Sequence, residues 1–210
     1  RLVDQLNDGS GPPMRREGFS DDRPTLRIDM DEFLKASQGE RLHTFGISTC
    51  TGLVAAVPGK LAYLGHISPK DKMYGGDDTN LLGQMIKRIK GFDIYRYERR
   101  DVVFVVVANH LESLLPIISK LVEEEFLLSQ IRVAYNPRAE SAAVSYDYAE
   151  NRLAVEWRMG GTEAERGYHW LEDVMNVGEI IARVMAAERD SGMEEARGAS
   201  PGSSGRKGMI

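Results

Sequence analysis

The amino-acid sequence predicts an α+β fold, in which helices pack on mixed, mostly antiparallel β-sheet layers. Three observations support this class. Several short segments alternate apolar and polar residues, as half-buried strands do. The segment from Val102 to Val107 is apolar at every position, which is typical of a strand buried on both faces. Other segments repeat apolar residues every three or four positions, as amphipathic helices do.

Two hairpins can be located from their turn residues. The apolar runs Gly52 to Val57 and Leu61 to Gly65 are joined through Pro58-Gly59, a dipeptide that favours a turn. The alternating runs 144–148 and 153–157 lie on either side of Glu150-Asn151 and predict a second hairpin.

The remaining elements follow from periodicity and capping residues. Strands are expected near residues 26–30, 42–47 and 131–135. The run 77–80 offers N-caps for a helix that ends near Gly91. A second helix is expected at about 111–126, and a C-terminal amphipathic helix at about 170–185.

Four segments are expected along the chain. Residues 1–24 and 191–210 are rich in Gly, Ser and Pro and predict flexible tails. Residues 25–158 form the main domain, and residues 159–190 a helical extension.

Composition narrows the classes of function. The 210 residues contain one cysteine, which excludes a framework of intrachain disulfides and a metal cage built from cysteines. The net charge is −5, which argues against a nucleic-acid partner, and no apolar run approaches the roughly 18 residues of a membrane span. His43, His110 and His169 lack neighbouring ligand residues, so no metal is expected.

One pair of residues, Cys50 and His66, could catalyse a reaction. Cys50 begins the first hairpin and His66 ends it, so the turn brings them to the same end of the strand pair. A thiol beside an imidazole is the minimum apparatus of thiol catalysis. The alternative from these residues alone is a buried cysteine acting as a small apolar residue and a structural histidine.

At these positions the sequence resembles the chemoreceptor glutamine deamidases of the CheD type, whose fold is similar to that of the cytotoxic necrotizing factor deamidases. The resemblance runs from about Leu26 to Arg158 and includes the order of elements. The motifs that carry it are Glu32-Phe33, Thr44-Phe45-Gly46 leading to Cys50, Leu64-Gly65-His66-Ile67-Ser68-Pro69, Val144-Ser-Tyr-Asp147 and Leu153-Ala-Val155.

The resemblance implies an α/β/β sandwich and a protein-glutamine deamidase without a cofactor. Cys50 would be the nucleophile, His66 the general base, and Thr44 the hydroxyl that orients the imidazole. Backbone N–H groups of Cys50 and Thr51 are the natural oxyanion donors. The implied partners are a protein substrate, such as a chemoreceptor or another signalling protein, and a regulatory protein.

The sequence departs from the family pattern at Ser48-Thr49, at 107–110 and at Asn136-Pro137, and the last two loops border the substrate groove in the family. Two alternatives stay open: a non-catalytic protein-binding member of the same fold, and a toxin-like effector deamidase. The expected location is the cytoplasm. Secretion stays open as well, because the sequence begins at Arg1.

Overall fold

Two β-sheets packed face to face form the centre of the protein. The computed structural model describes residues 23–70, 80–93, 99–160, 164–170 and 175–180, with the single residues 182 and 186. Eleven strands are assigned in these residues: β1 Thr25–Arg27, β2 Glu32–Lys35, β3 Arg41–Ile47, β4 Thr51–Val57, β5 Leu61–Ile67, β6 Val103–Ala108, β7 Ile131–Tyr135, β8 Ala139–Asp147, β9 Arg152–Met159, β10 Ala164–Trp170 and β11 Met175–Asn176.

Sheet A has the strand order β1-β3-β8-β9-β10, and sheet B has the order β11-β7-β6-β4-β5-β2. Two pairs, β1 with β3 and β6 with β7, are parallel, and the others are antiparallel. Helix α1 spans Leu81–Arg88 and helix α2 spans Leu111–Glu123. The expected α+β class with mixed, mostly antiparallel sheets is confirmed.

Sheet B is the middle layer. Every residue of β4 and of β5 is buried, because α1 and α2 contact one face of sheet B and sheet A covers the other. The core between the sheets includes Val54, Leu64 and Val107 from sheet B and Val144 and Trp157 from sheet A. Both predicted hairpins are confirmed, as β4-β5 and β8-β9.

The N-terminus of α1 is also as predicted from its capping residues. The side-chain oxygen of Asn80 accepts a hydrogen bond from the backbone N–H of Gly83 at 2.7 Å. A π-helical turn at Ile89–Asp93 continues the helix past Gly91.

The predicted C-terminal helix is wrong at its beginning. Strand β10 runs through Trp170 and pairs with β9, and β11 pairs with β7 at Met175–Asn176. Strand pairing prevails over local periodicity here, because β9 offers β10 a long open edge. Helical backbone is described at residues 177–180, and most of the remainder of the segment lies outside the described residues, as do nearly all residues of the two expected tails. The chain through Val177 forms one compact unit, and residues from Gly178 belong to a second.

Candidate active site

His66 occupies the centre of the candidate site. It lies in β5, between Gly52 of β4 and Glu32 of β2, and is only 4% exposed. Its carbonyl oxygen accepts a hydrogen bond from the backbone N–H of Asp31 at 2.8 Å. The histidine backbone is therefore held by strands on both sides.

Thr44 reaches His66 from the other sheet. Its Oγ1 lies 2.8 Å from Nδ1 of His66, and it donates a hydrogen bond to the carbonyl oxygen of Ile28 at 2.9 Å. A hydroxyl carries one proton, so an Oγ1 that donates to Ile28 can only accept from the imidazole. A neutral His66 therefore carries its proton on Nδ1 and presents the lone pair of Nε2. The structure brings Thr44 and His66 together, as the resemblance implies.

Gly52 permits this close approach of the two sheets, and sequence reasoning missed it. A Cβ atom at this position would lie 2.7 Å from Cδ1 of Ile47 and 3.3 Å from Cγ2 of Val144, both of which belong to sheet A. Because Gly52 pairs directly with His66, the missing side chain leaves room beside the imidazole. The only sequence signal was a glycine within an apolar strand, which marks a close approach.

Cys50 lies immediately before β4, on the face that packs against sheet A, and is 6% exposed. The register pairs Gly52 with His66 and Thr51 with Ile67, so Cys50 is diagonal to His66 instead of directly opposite. Diagonal neighbours on one face of a regular sheet are roughly 7–8 Å apart at Cα and somewhat closer at Cβ. The two residues lie at the same end of the hairpin and on the same face, as predicted, but His66 is two residues away from the position directly opposite Cys50.

A methionine contacts the thiol. Sγ of Cys50 lies 3.8 Å from Sδ of Met30, whose side chain is 59% exposed. Met30 belongs to the segment that leaves sheet A after β1 and enters sheet B at β2. Its next residue, Asp31, has a φ of 61° and accepts a hydrogen bond from the N–H of Ser68 at 3.1 Å. This short segment therefore contacts Thr44, His66 and Cys50, and no motif in the sequence indicated it.

Helix α2 fixes the backbone around Cys50. Oγ of Ser113 donates to the carbonyl oxygen of Thr49 at 2.6 Å, and Oγ1 of Thr51 donates to the carbonyl oxygen of Ser113 at 3.0 Å. The Thr51 side chain is thus engaged with the helix. The oxyanion role of the Cys50 and Thr51 backbone N–H groups stays a prediction.

A second histidine, His43, lies outside this constellation. Burial is the main cause that lowers the pKa of His43, and its Nδ1 lies 2.8 Å from Oγ of Ser145. His43 precedes Thr44 in β3, so the two side chains point to opposite faces of sheet A. His43 is therefore a natural control for His66.

The described residues contain no group of three or more His, Cys, Asp or Glu side chains that could hold a metal ion. Within the same residues, no helix is long and apolar enough to cross a membrane.

No protein-family model matches the chain, and no curated protein matches it. The resemblance to chemoreceptor glutamine deamidases stays a prediction.

Proposed function

We propose that this protein is a cysteine hydrolase that deamidates glutamine side chains of a protein substrate. The observation that carries the proposal is the hydrogen bond of Thr44 to Nδ1 of His66, combined with that of Thr44 to Ile28. This pair of bonds leaves Nε2 as the basic nitrogen of a neutral imidazole. A general base for a thiol requires such a nitrogen.

In the proposed reaction, Nε2 of His66 takes the proton of the Cys50 thiol, and the sulfur attacks Cδ of the glutamine side chain. The imidazolium returns the proton to the departing nitrogen, so ammonia leaves and a thioester forms. Nε2 then takes a proton from water, whose oxygen attacks the thioester. Breakage of the C–S bond releases glutamate and restores the thiol, and the net change is amide plus water to carboxylic acid plus ammonia.

Access to Cys50 requires Met30 to move. The side chain of Met30 is mostly exposed and contacts the sulfur, so an incoming glutamine can displace it without opening the core. Methionine suits this position because its unbranched side chain changes rotamer easily. The substrate is a chemoreceptor or another signalling protein, and the location is the cytoplasm, as the sequence resemblance implies.

The first test measures ammonia release from glutamine-containing peptides. Cys50→Ser is expected to lower the rate by at least about 10³-fold, because the nucleophile is removed. His66→Gln is expected to lower it by about 10²–10⁴-fold, because the base is removed. His43→Gln is the matched control and is expected to retain activity. A Cys50→Ser variant with unchanged ammonia release would exclude the proposal.

A second candidate is a non-catalytic protein-binding module, and the environment of Cys50 favours it. The thiol is almost fully buried in the apolar core and donates to the thioether of Met30. A thiol in such surroundings is stabilised in its protonated form. Iodoacetamide separates the two candidates: a catalytic Cys50 reacts faster than glutathione at neutral pH, whereas a structural Cys50 reacts more slowly.

A further inference from the structure

A second buried polar side chain lies at the same end of sheet B. Asn109 follows β6 directly and is 0% exposed. Its Nδ2 donates a hydrogen bond to the carbonyl oxygen of Ala139, at the start of β8, at 3.0 Å. This bond fixes the orientation of the amide, because a carbonyl oxygen can only accept and so must face the nitrogen.

The side-chain oxygen of Asn109, Oδ1, differs from the nitrogen in its hydrogen bonding. No donor among the described residues forms a hydrogen bond with Oδ1 of Asn109, although the atom is buried. A buried oxygen without a donor is uncommon in folded proteins and calls for a function or a ligand.

Asn136 provides an internal comparison. It is equally buried and lies at the same end of the neighbouring strand β7, but its Oδ1 accepts from the N–H of Arg138 at 3.0 Å. The acceptor capacity of Asn136 is therefore already used.

The register brings Asn109 close to Cys50. Gly52 and Val107 are the last pair of β4 and β6, and Cys50 and Asn109 each lie two residues beyond this pair, at the same end of the two strands. Val107 and Cys50 both lie in the core between the sheets, and the bond from Asn109 to Ala139 of sheet A shows that Asn109 points to the same side. Asn109 and His66 thus approach Cys50 from the two strands that flank β4.

We propose that Oδ1 of Asn109 accepts a hydrogen bond from the substrate's carboxamide N–H and so selects primary amides at Cys50. This inference rests on the proposed deamidase function and adds its specificity-determining residue. A carboxamide supplies the donor that Oδ1 lacks, whereas an ester supplies none. The carboxylate product supplies none either, which favours its release.

The test compares two electrophiles of nearly the same shape. Iodoacetamide carries an NH2 group where iodoacetone carries a methyl group. The measured quantity is the rate of reaction of Cys50 with iodoacetamide divided by its rate with iodoacetone. This ratio is then divided by the same ratio measured for glutathione. In the wild type the normalised ratio is expected to be about ten, because only iodoacetamide can donate to Oδ1.

Variants assign the effect to one residue. Asn109→Leu, which is similar in volume, is expected to lower the normalised ratio to about one. Asn136→Leu is the matched control and is expected to keep the wild-type ratio.

A wild-type ratio near one overturns the inference, and it does so even if Asn109→Leu fails to fold. An unchanged ratio in folded Asn109→Leu overturns it as well. Ammonia release by the wild type, measured separately, reports on the deamidase proposal. Release of ammonia with a ratio near one therefore refutes the role of Asn109 and leaves the proposed function standing.

Discussion

The Thr44 hydroxyl connects the two sheets through a single atom. It contacts Ile28 on one side and His66 on the other, and both groups are buried. Loss of this hydroxyl would leave a carbonyl oxygen and an imidazole N–H without a partner, which costs about 1–3 kcal/mol for each buried group. Thr44 therefore affects both stability and the proposed chemistry.

Two substitutions at Thr44 separate these effects. Thr44→Val keeps the shape and removes the hydroxyl, and it is expected to lower ammonia release about 10²-fold because the imidazole loses its fixed tautomer. Thr44→Ser keeps the hydroxyl and is expected to retain most of the activity. Nitrogen-15 NMR of His66 should show a protonated Nδ1 in the wild type and in Thr44→Ser, and a mixture of tautomers in Thr44→Val. The same Nδ1 signal in Thr44→Val would contradict the assigned role.

Among the individual residues of the candidate site, the sequence indicated only those whose side chains are chemically reactive or can position a reactive group. Cys50, His66 and Thr44 were recognisable because a thiol, an imidazole and a hydroxyl occur in a known arrangement. The carbonyl oxygen of Ile28 gave no signal, because every residue has one. Asn109 gave none because the lack of a donor at Oδ1 depends on packing between distant strands.

The turn of the first hairpin explains the difference in register. Val57 pairs with Leu61, so the loop contains three residues, and Gly59 adopts a φ of 69°. Three-residue hairpin loops commonly place a glycine in this left-handed region. The dipeptide Pro58-Gly59 predicted a turn but not its centre, and a loop centred on Gly59 instead of Pro58 moves the partner of every strand residue by two positions, so His66 is no longer directly opposite Cys50.

The wrong prediction of a helix beginning at Trp170 also results from strand pairing that the local sequence does not show. Residues 164–170 contain few apolar side chains, so their sequence has no strand alternation. They become a strand because β9 provides unpaired backbone groups along its whole length. The apolar spacing that begins at Trp170 resembled a helix, yet Trp170 ends β10.

Gly52 is the residue of β4 whose replacement tests the contact between the sheets. Gly52→Ala is expected to lower the free energy of unfolding by about 1–3 kcal/mol, because the new Cβ overlaps Ile47 in a packed core. Chemical denaturation measures the change. Gly91→Ala is the control, since a Cβ there meets no atom within 4 Å. Equal stability of Gly52→Ala and the wild type would show that the sheets can separate at no cost.

The whole molecule assembles the candidate site from three layers. Sheet B supplies His66 and is preceded at β4 by Cys50, sheet A supplies Thr44, and α2 holds the backbone next to Cys50 through the bond from Ser113 to Thr49. The fold class could be predicted because apolar periodicity reports which faces are buried. The docking of the sheets could not, since it depends on contacts between residues far apart in the chain.

The stability of the whole molecule should depend on pH through Glu124 at the end of α2. Its carboxylate lies 2.7 Å from Nζ of Lys90 and 3.0 Å from Nζ of Lys120. The hydrogen bond from Lys90 is the main cause that lowers the pKa of Glu124 below its ordinary value of 4.5. Because the pKa is lower in the folded state, the stabilisation is present above pH 4.5 and is lost as the pH falls through the folded-state value.

Glu124→Gln is therefore expected to be less stable than the wild type at neutral pH, and this deficit is expected to be smaller at a second, acidic pH below 4.5. Urea unfolding at several pH values measures the difference. Glu123→Gln, at the exposed neighbouring position, is the control and should show a smaller change. A Glu124→Gln deficit that is the same at both pH values would contradict the assignment.

The edge strands of the two sheets affect how the protein behaves at high concentration. Among the described strands, three of the four outer ones are short: β1 has three residues, β2 has four and β11 has two. Arg27 and Lys35 add charge to two of them. Short, charged edge strands offer few backbone groups to a neighbouring chain. Aggregation by strand addition is therefore disfavoured at these three edge strands. Strand β10, with seven residues, is the edge strand at which a second chain could most readily extend a sheet.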